Sequence, residues 1–541
     1  MSILNASGRG LRQSQDQADW LWVLLLLVAA LVLFTVNLGG LPLRDWDEGT
    51  VAQVAREIWR SPSQSLTWLF PTLGGEPYLN KPPLMHNLMA IAYHLGGVSE
   101  LTSRLPGALL TAVSVPLLYW VGREVFPTRL PALMAAAVYL TWLPVARHGR
   151  LAMLDGAVLC FWLLLLWSVL RSRRDSRFSL GIGISFGLIC LTKGVMLGLL
   201  LGAIALLFLA WDTPRLLRLP YLWLGVAIGS FPVTVWYGAQ WGQYGADFLG
   251  GNLVDQSFQR VWTRVENNGG APWYYALELL KYSVPWLLFL PAGFSFMRES
   301  LLLGWAKLAL IWSGVYLVAI SVMATKLPWY VLPLYPALAL VVGAQLAQLW
   351  KQGKHAGIRQ QRRDYALGWV GAIAVLACLS GVGCAYFWHW SQPEDPSLVR
   401  ILGSFSISMT LAAVLMWRQN PQFISLLIWG TYLSLLLLML SPHWVWELAE
   451  AYPVKPVAEL VQQYTPPGET IYTSYADRRP SLDFYSDRRI LPAPAKRLQR
   501  LWQTEPQVYF LLDRDRLKTL DLPKRQILGE AEGWILVRGD R

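Results

Sequence analysis

Acidic residues gather in a short polar stretch that follows the first apolar run of the chain. Asp45, Asp47 and Glu48 lie within a few residues of that run, where an ionised side chain is costly unless it has a partner or a function. A carboxylate in such a place can take a proton from an incoming nucleophile as a general base. The stretch is therefore the first candidate for a reaction centre, with Asp47 and Glu48 as its candidate catalytic residues.

Basic residues that could bind an anion occur at several later positions. Lys81 lies between Asn80 and two prolines, which keep its backbone extended. Arg260 lies in a long polar loop, and Lys326 and Tyr330 open a later apolar run. Together these groups could hold a departing phosphate. Because phosphate leaves as a stable anion, the reaction needs one base and no strong general acid, whereas glycoside hydrolysis normally needs two carboxylates.

Further charged residues lie near the ends of apolar runs, on the same side as the acidic stretch. We expect them to support a shared cavity; they are Arg56 (on a short surface helix predicted after Glu48), Arg104, Arg150, Asp155 and Lys193. For any one of them, snorkelling to lipid headgroups or a structural ion pair explains the charge about equally well. Arg104 and Asp155 could pair with each other, and Arg260 could pair with Asp255 or Glu266.

The composition excludes a soluble globular protein. Of the 541 residues, 54% are hydrophobic, 15% are charged and 29 are tryptophan, which is typical of a polytopic membrane protein. The net charge of +12 is explained by arginines in loops that fix topology, so no nucleic-acid partner is expected. The four cysteines fall inside apolar runs and indicate neither a disulfide framework nor a zinc knuckle.

The apolar runs predict about thirteen transmembrane spans between residues 20 and 440. The connections rich in arginine are 122–129, 171–177, 212–218 and 351–363, and the positive-inside rule places them in the cytoplasm. The marginal run Leu84–Gly97 is assigned to a juxtamembrane or re-entrant helix, because a crossing there would turn every arginine-rich loop outward. The amino terminus is then inside and the carboxyl terminus outside.

This topology divides the chain into three regions. Residues 1–19 form a cytoplasmic amino terminus, and residues 20–440 form the transmembrane domain with two large external loops, 39–103 and 241–281. Residues 441–541 alternate helix-like and strand-like pieces, which predicts a small extracytoplasmic α/β domain. We expect that domain to cap the cavity and help admit an acceptor; a purely structural role fits the sequence equally well.

A sugar linked to a lipid phosphate suits this arrangement as donor, since its apolar tail would enter sideways from the bilayer. Two other functions remain open. A flippase or transporter for the same lipid would place polar residues through the middle of several spans, with access from both sides. A non-catalytic binder of polyprenyl phosphate could keep Lys81 and Arg260 but would have no need for Asp47.

Six motifs resemble, in order, those of the GT-C glycosyltransferases, and more narrowly the branch of the lipid A aminoarabinose transferases and protein O-mannosyltransferases (glycosyltransferase families 39 and 83). The motifs are Asp47-Glu48 with Arg56-Glu57, Asn80-Lys-Pro-Pro83, Arg104-Leu-Pro, Arg150 with Leu154-Asp155, Leu191-Thr-Lys-Gly194, and Lys326-Leu-Pro-Trp-Tyr330. The resemblance implies a GT-C fold with about thirteen spans and a periplasmic carboxyl-terminal domain in a bacterial inner membrane. It also implies an undecaprenyl phosphate-linked sugar donor and a lipid or protein acceptor.

The resemblance also assigns roles to residues of this chain. Asp47 would be the catalytic acid–base residue, Asp155 and Lys193 would support the cavity, and the phosphate contacts would be Lys81, Arg260 and Tyr330. In the aminoarabinose transferases an acidic residue before the motif lysine and a histidine in the large loop hold zinc. Here Asn80 and, by an approximate register, Ser257 take those places. No cofactor is therefore assigned, although a divalent metal ion remains compatible with the sequence.

Overall fold

Apolar helices make up most of the computed structural model, which describes residues 2–62, 64–264, 268–355, 367–390, 395–445 and 453–540. Within those ranges, nine helices are long and apolar enough to cross a membrane: Gln17–Thr35 (the apolar part of the helix Ser2–Thr35), Glu100–Val125, Val195–Asp212, Pro220–Tyr244, Gly304–Val322, Pro328–Gln352, Leu367–His389, Ser397–Trp417 and Phe423–Leu440. A pair bent by 112°, Tyr274–Tyr282 and Trp286–Glu299, makes ten if it is counted as one span. The chain is therefore a multi-pass membrane protein.

Three further helices coincide with apolar runs of the sequence but are shorter. They are Arg129–Leu140, Asp155–Arg171 and Leu180–Lys193, of 12, 17 and 14 residues. The first of them ends where Pro144, which has no backbone N–H, opens a separate short helix, Leu143–His148. The predicted count of thirteen spans therefore stays a prediction.

Ion pairs join the arginine-rich connections to one another at one end of the bundle. The pairs are Asp19 with Arg123 at 3.0 Å, Glu124 with Arg171 at 3.0 Å, and Arg173 with Asp212 at 2.6 Å. Three of the four predicted connections therefore meet on one face, together with the start of the first span. Most of the fourth, 351–363, lies outside the described residues.

Two bundle helices, Leu180–Lys193 and Pro220–Tyr244, cross at glycines. The contacting pairs are Gly183 with Gly225 and Gly187 with Gly229. A Cβ atom on Gly183 would lie 2.0 Å from the backbone of Gly225, far inside van der Waals contact. Only glycine permits this approach, which small-residue helix crossings in membranes commonly use.

Three short elements between the first span and the helix Glu100–Val125 pack on the bundle. The surface helix Asp47–Arg60 buries Val51 and Ala55, with an acidic first turn that suits its helix dipole. The helix Leu84–Gly96, outside the set of candidate spans, packs between the surface helix and Glu100–Val125. In the sequence between these two short helices lies a hairpin of β1 (Thr72–Leu73) and β2 (Glu76–Pro77).

The described part of the carboxyl-terminal region contains the predicted small α/β domain. Its strands are β3 (Thr470–Thr473), β4 (Arg489–Pro492), β5 (Gln507–Asp513), β6 (Arg525–Ala531) and β7 (Trp534–Asp540), in the sheet order β4-β3-β5-β7-β6. Strand β5 is parallel to β3 and antiparallel to β7. The helices are Val454–Tyr464, Pro480–Ser486, Ala495–Thr504 and Arg514–Thr519. They leave β5 buried from Val508 to Leu512 on both faces, as expected of a central strand.

Candidate active site

A cavity of about 690 Å³ opens at one end of the bundle. Six of the predicted site residues line it: Asp47, Lys81, Asp155, Lys193, Arg260 and Tyr330. Asp155 begins the helix Asp155–Arg171, and Arg171 at its other end pairs with Glu124. The cavity therefore lies at the opposite end of the bundle from the arginine-rich connections.

Tyr330 is at the centre of the basic part of the cavity wall. Arg260 donates from Nη1 to the Tyr330 hydroxyl at 3.0 Å, so the tyrosine retains its own proton for a bound anion. The Lys193 ammonium lies 5.7 Å from the centre of the Tyr330 ring and pairs with Asp155 at 2.5 Å. Asp155 is thus the partner of Lys193 and not of Arg104.

Backbone pairing between two distant loops sets the position of Arg260. The amide of Thr325 donates to the Arg260 carbonyl at 3.1 Å, and the amide of Lys326 donates to the Asn268 carbonyl at 2.9 Å. These bonds attach the large loop 241–281 to the segment that leads to Tyr330. Glu266 and the side chain of Asp255, the alternative ion-pair partners of Arg260, lie outside the described residues.

The backbone before Lys81 is held by hydrogen bonds at two points. Asn252 donates to the carbonyl of Leu79 at 2.9 Å. Farther back in the loop, Trp236 and Gln240 of the helix Pro220–Tyr244 donate to the Leu69 carbonyl at 3.1 and 2.7 Å. The two prolines that follow Lys81 restrict the chain beyond it. Lys81 is therefore presented from a constrained loop.

The charge of Lys81 responds to its surroundings. Burial first, and then the positive charges of Arg260 and Lys193, lower the pKa of Lys81 to about 7, against the opposite effect of Asp155 and Asp47. Three cationic groups facing one cavity repel each other, and an anion bound among them would favour the charged form of Lys81. The arrangement is that of an anion-binding site.

Asp47 lines the same cavity from the first turn of the surface helix. Its side chain is partly exposed, and the neighbouring Trp46 and Thr50 also line the cavity. Asp47 is close enough to Lys81 to act on its charge. A carboxylate beside a bound anion and open to a second molecule is placed to act as a general base.

Glu48 has a different position from the catalytic one expected. It is fully buried and lies outside the cavity lining, with its carboxylate oxygens accepting from Nε and Nη2 of Arg104, both at 2.8 Å. The amides of Ala152 and Arg44 also donate to it, at 2.7 and 3.0 Å. Burial would raise the pKa of Glu48, but Arg104 and these amides hold it below its usual value. We therefore assign Glu48 and Arg104 a structural role.

Replacing Glu48 with glutamine should lower stability. The change leaves the Arg104 guanidinium buried without its counter-charge, and breaking a buried ion pair from one side typically costs about 3–5 kcal/mol. We expect a lower melting temperature in detergent, measured by the fluorescence of the protein during heating. A variant as stable as the wild type would contradict the structural role.

Lys326 is also outside the cavity lining, although it was expected to contact phosphate. Its ammonium donates to the carbonyls of Ile320 and Ser321 at 3.0 and 2.6 Å. These carbonyls belong to the last turn of the helix Gly304–Val322, where they have no intrahelical partner. Lys326 therefore caps a helix and is committed to that contact.

Arg56 and Arg150 hold neighbouring elements together and do not line the cavity. Arg56 pairs with Asp487 of the carboxyl-terminal domain at 2.9 Å. Arg150 donates to the Leu33 carbonyl at 2.9 Å and lies 4.5 Å from the centre of the Trp444 ring. Both arginines therefore contact other parts of the protein, which differs from the expected role in the cavity.

The carboxyl-terminal domain supplies Asp477, Arg478 and Pro480 to the cavity lining, and sequence reasoning missed these residues. They follow β3, one of the parallel strands of the sheet. Loops at the carboxyl ends of parallel strands commonly carry binding residues. That rule, applied to the charged turn after Thr470–Ser474, could have identified them.

The described residues do not form a zinc site at the positions considered in the sequence analysis. Asn80 lines the cavity, and its amide is a poor substitute for the carboxylate, imidazole and thiolate ligands of zinc. In the described part of the chain, no three His, Cys, Asp or Glu side chains group closely enough to hold a metal ion. The side chain of Ser257 lies outside that part.

Known proteins are similar to this chain in sequence and in fold. Residues 80–237 match the family described as dolichyl-phosphate-mannose-protein mannosyltransferase. The undecaprenyl phosphate-alpha-4-amino-4-deoxy-L-arabinose arabinosyl transferase 1 of Pseudomonas fluorescens is 28% identical over 388 residues, which are 69% of this chain and 66% of that protein. The corresponding transferase of Pectobacterium carotovorum is 29% identical over 443 residues, 76% of this chain and 75% of that protein.

A solved structure covers nearly the whole chain. The crystal structure of ArnT from Cupriavidus metallidurans bound to undecaprenyl phosphate superposes with a TM-score of 0.77 at 19% identity, over 96% of this chain and 98% of that chain. At this identity the match shows the fold, and the expected GT-C architecture is confirmed. Fold and sequence together show that the chain is a multi-pass membrane protein with the GT-C fold and that it is similar in sequence to the undecaprenyl phosphate-aminoarabinose arabinosyl transferases.

Proposed function

We propose that the protein transfers a sugar from an undecaprenyl phosphate-linked donor to a lipid acceptor. One observation carries the proposal: Asp47, Lys81, Arg260 and Tyr330 line a single cavity at one end of the bundle. The sequence relatives are named for transfer from such a donor. A protein acceptor fits the same chemistry and is the second candidate to test.

In this mechanism the donor phosphate binds among Lys81, Arg260 and Tyr330. Their donors stabilise the negative charge that grows on the phosphate oxygen as its bond to the anomeric carbon breaks. Asp47 takes the proton of the acceptor as the acceptor oxygen attacks that carbon. Direct displacement on one face inverts the anomeric configuration. Undecaprenyl phosphate leaves with the electron pair of the broken bond.

The proposed location follows from the two ends of the bundle. The end that carries the arginine ion pairs would face the cytoplasm of a bacterial inner membrane, together with residues 1–19. The cavity, the external loops 39–103 and 241–281, and the carboxyl-terminal domain 441–541 would then face the periplasm. A lipid-linked donor could enter from the outer leaflet without crossing the membrane.

The two rival functions fit the arrangement less well. A flippase needs polar groups along its path through the membrane. The charged residues of this cavity lie instead at helix ends, as Asp155 and Lys193 do, or in a loop, as Arg260 does. A lipid-phosphate binder would need the basic wall but no carboxylate opposite to it. The position of Asp47 therefore favours the enzyme.

The test is turnover by the purified protein in lipid nanodiscs. The donor is undecaprenyl phosphate-linked 4-amino-4-deoxy-L-arabinose, the acceptors are lipid A and a peptide, and the product measured is free undecaprenyl phosphate. We expect release that depends on an acceptor. Donor binding without release would favour the binder, and movement of the lipid between leaflets without release would favour the flippase.

A further inference from the structure

The backbone immediately before Asp47 adopts an unusual conformation. Trp46 has φ 64° and ψ −71°, and the amide of Asp47 donates to the carbonyl of Asp45 at 2.9 Å. Together these define a γ-turn of the positive-φ form, which is rare and strained for a residue with a side chain. Such conformations are energetically costly and persist only where surrounding contacts impose them.

The carboxyl-terminal domain provides those contacts through Asp45. The Asp45 carboxylate is 2% exposed. It accepts from the hydroxyl of Ser481 at 2.7 Å, from the amide of Ser481 at 3.3 Å and from Nη1 of Arg479 at 3.0 Å. A buried carboxylate with an arginine and a hydroxyl as partners is strongly fixed in direction. The first residue of the turn is therefore held from outside the transmembrane domain.

The far side of the turn is held from within the transmembrane domain. Glu48 is fixed by Arg104 of that domain. Gly49, next to it, packs on the carboxyl-terminal domain, so close to Ser481 that an added Cβ atom would be 2.7 Å from the Ser481 amide nitrogen. Only Trp46 and Asp47 between these anchors reach the cavity lining. Contacts from both domains therefore fix the segment that carries Asp47.

We propose that Asp45, Arg479 and Ser481 are positioning residues, by which the carboxyl-terminal domain imposes the γ-turn that aims Asp47 into the cavity. The proposal rests on the proposed function, in which Asp47 is the base. It gives the carboxyl-terminal domain a part in the chemical step in addition to its share of the cavity wall. Asp45 itself needs no contact with a substrate.

The experiment compares Asp45→Asn and Ser481→Ala with Asp487→Asn. The control also replaces a carboxylate at the contact between the two domains, where Asp487 pairs with Arg56 and Arg60. Its left-handed φ of 58° is well tolerated by asparagine. Asp45→Asn turns a donor toward Arg479 and Ser481, and Ser481→Ala removes one donor to Asp45.

We expect kcat to fall about tenfold to a hundredfold in Asp45→Asn, since small displacements of a catalytic group have effects of that size, and less in Ser481→Ala. The dissociation constant for undecaprenyl phosphate should stay that of the wild type, because Lys81 and Arg260 are untouched. The double variant Asp45→Asn/Ser481→Ala should have nearly the same kcat as Asp45→Asn alone, because both changes break the same contact between Asp45 and Ser481. Asp487→Asn should keep the wild-type kcat.

Hydrogen exchange supplies a readout that does not depend on turnover. The amide of Asp47 should exchange faster in Asp45→Asn and Ser481→Ala than in the wild type or in Asp487→Asn. Equal loss of kcat in all variants, or unchanged exchange at Asp47, would overturn the positioning role. If the wild type and the control released no undecaprenyl phosphate, the proposed function would fail, and exchange at Asp47 would still decide whether this contact holds the turn.

Discussion

Replacing Lys81 with methionine should weaken the binding of undecaprenyl phosphate about a hundredfold, or about 2.7 kcal/mol, and reduce turnover at least as much. Methionine keeps the length of the side chain and removes the charge that faces the phosphate. Binding to the purified protein can be measured by calorimetry in detergent. Affinity within about twofold of the wild type would show that Lys81 is not a phosphate contact.

The matched control is Lys326→Met. Lys326 caps a helix outside the cavity lining, so its replacement should lower the melting temperature and leave the affinity of the folded protein unchanged. A loss of affinity equal to that of Lys81→Met would show that Lys326 contacts the phosphate.

The same lysine should make donor binding depend on pH. With a pKa of about 7, Lys81 is largely neutral in the unliganded protein at pH 8.5, and a bound phosphate dianion or monoanion raises that pKa. Binding then takes up a proton above pH 7, so affinity should fall as pH rises from about 7 to 9. In Lys81→Arg, which stays charged, this pH dependence should disappear.

Replacing Asp47 with asparagine should lower kcat by about 10²–10⁴-fold, the usual contribution of a general base. The amide has nearly the same shape but cannot take the acceptor proton. Undecaprenyl phosphate should bind at least as tightly as to the wild type, because a negative charge near the phosphate has been removed. Turnover is measured as in the release assay, with binding measured separately.

The adjacent residue gives a contrast within one motif. Glu48→Gln should lose stability, whereas Asp47→Asn should lose kcat at unchanged stability, because Glu48 is buried against Arg104 and Asp47 faces the cavity. Wild-type kcat in Asp47→Asn would contradict the acid–base role. In that case activation of the acceptor would have to come from another group.

Much of the site could be found from the sequence by looking for charged residues beside apolar runs, because an ionised side chain at a membrane face needs a partner or a function. That reasoning found Asp47 and Lys81, which line the cavity, and it also selected Glu48 and Lys326, which do not. The difference lies in which hydrogen-bond partners fold around each side chain. The spacing of residues along the chain does not show those partners.

The contact between Asp45 and the carboxyl-terminal domain was beyond sequence reasoning for a related reason. Asp45 and Ser481 are 436 positions apart, and no periodicity or composition links them. The small α/β domain itself was predictable, because its strands are short apolar segments such as Gln507–Leu512. Which loop of the domain meets the bundle depends on the packing of two folded surfaces.

The glycines between Leu180–Lys193 and Pro220–Tyr244 limit how the chain can evolve. Where a Cβ atom would enter the backbone opposite, no neighbouring change of side-chain size can compensate, so Gly183 and Gly187 can vary less freely than the leucines beside them. Selection at these positions acts on volume, and at Lys81 or Asp47 it acts on charge. A profile of tolerated substitutions would mark both groups as intolerant, and only the fold separates those that shape the enzyme from those that would take part in its reaction.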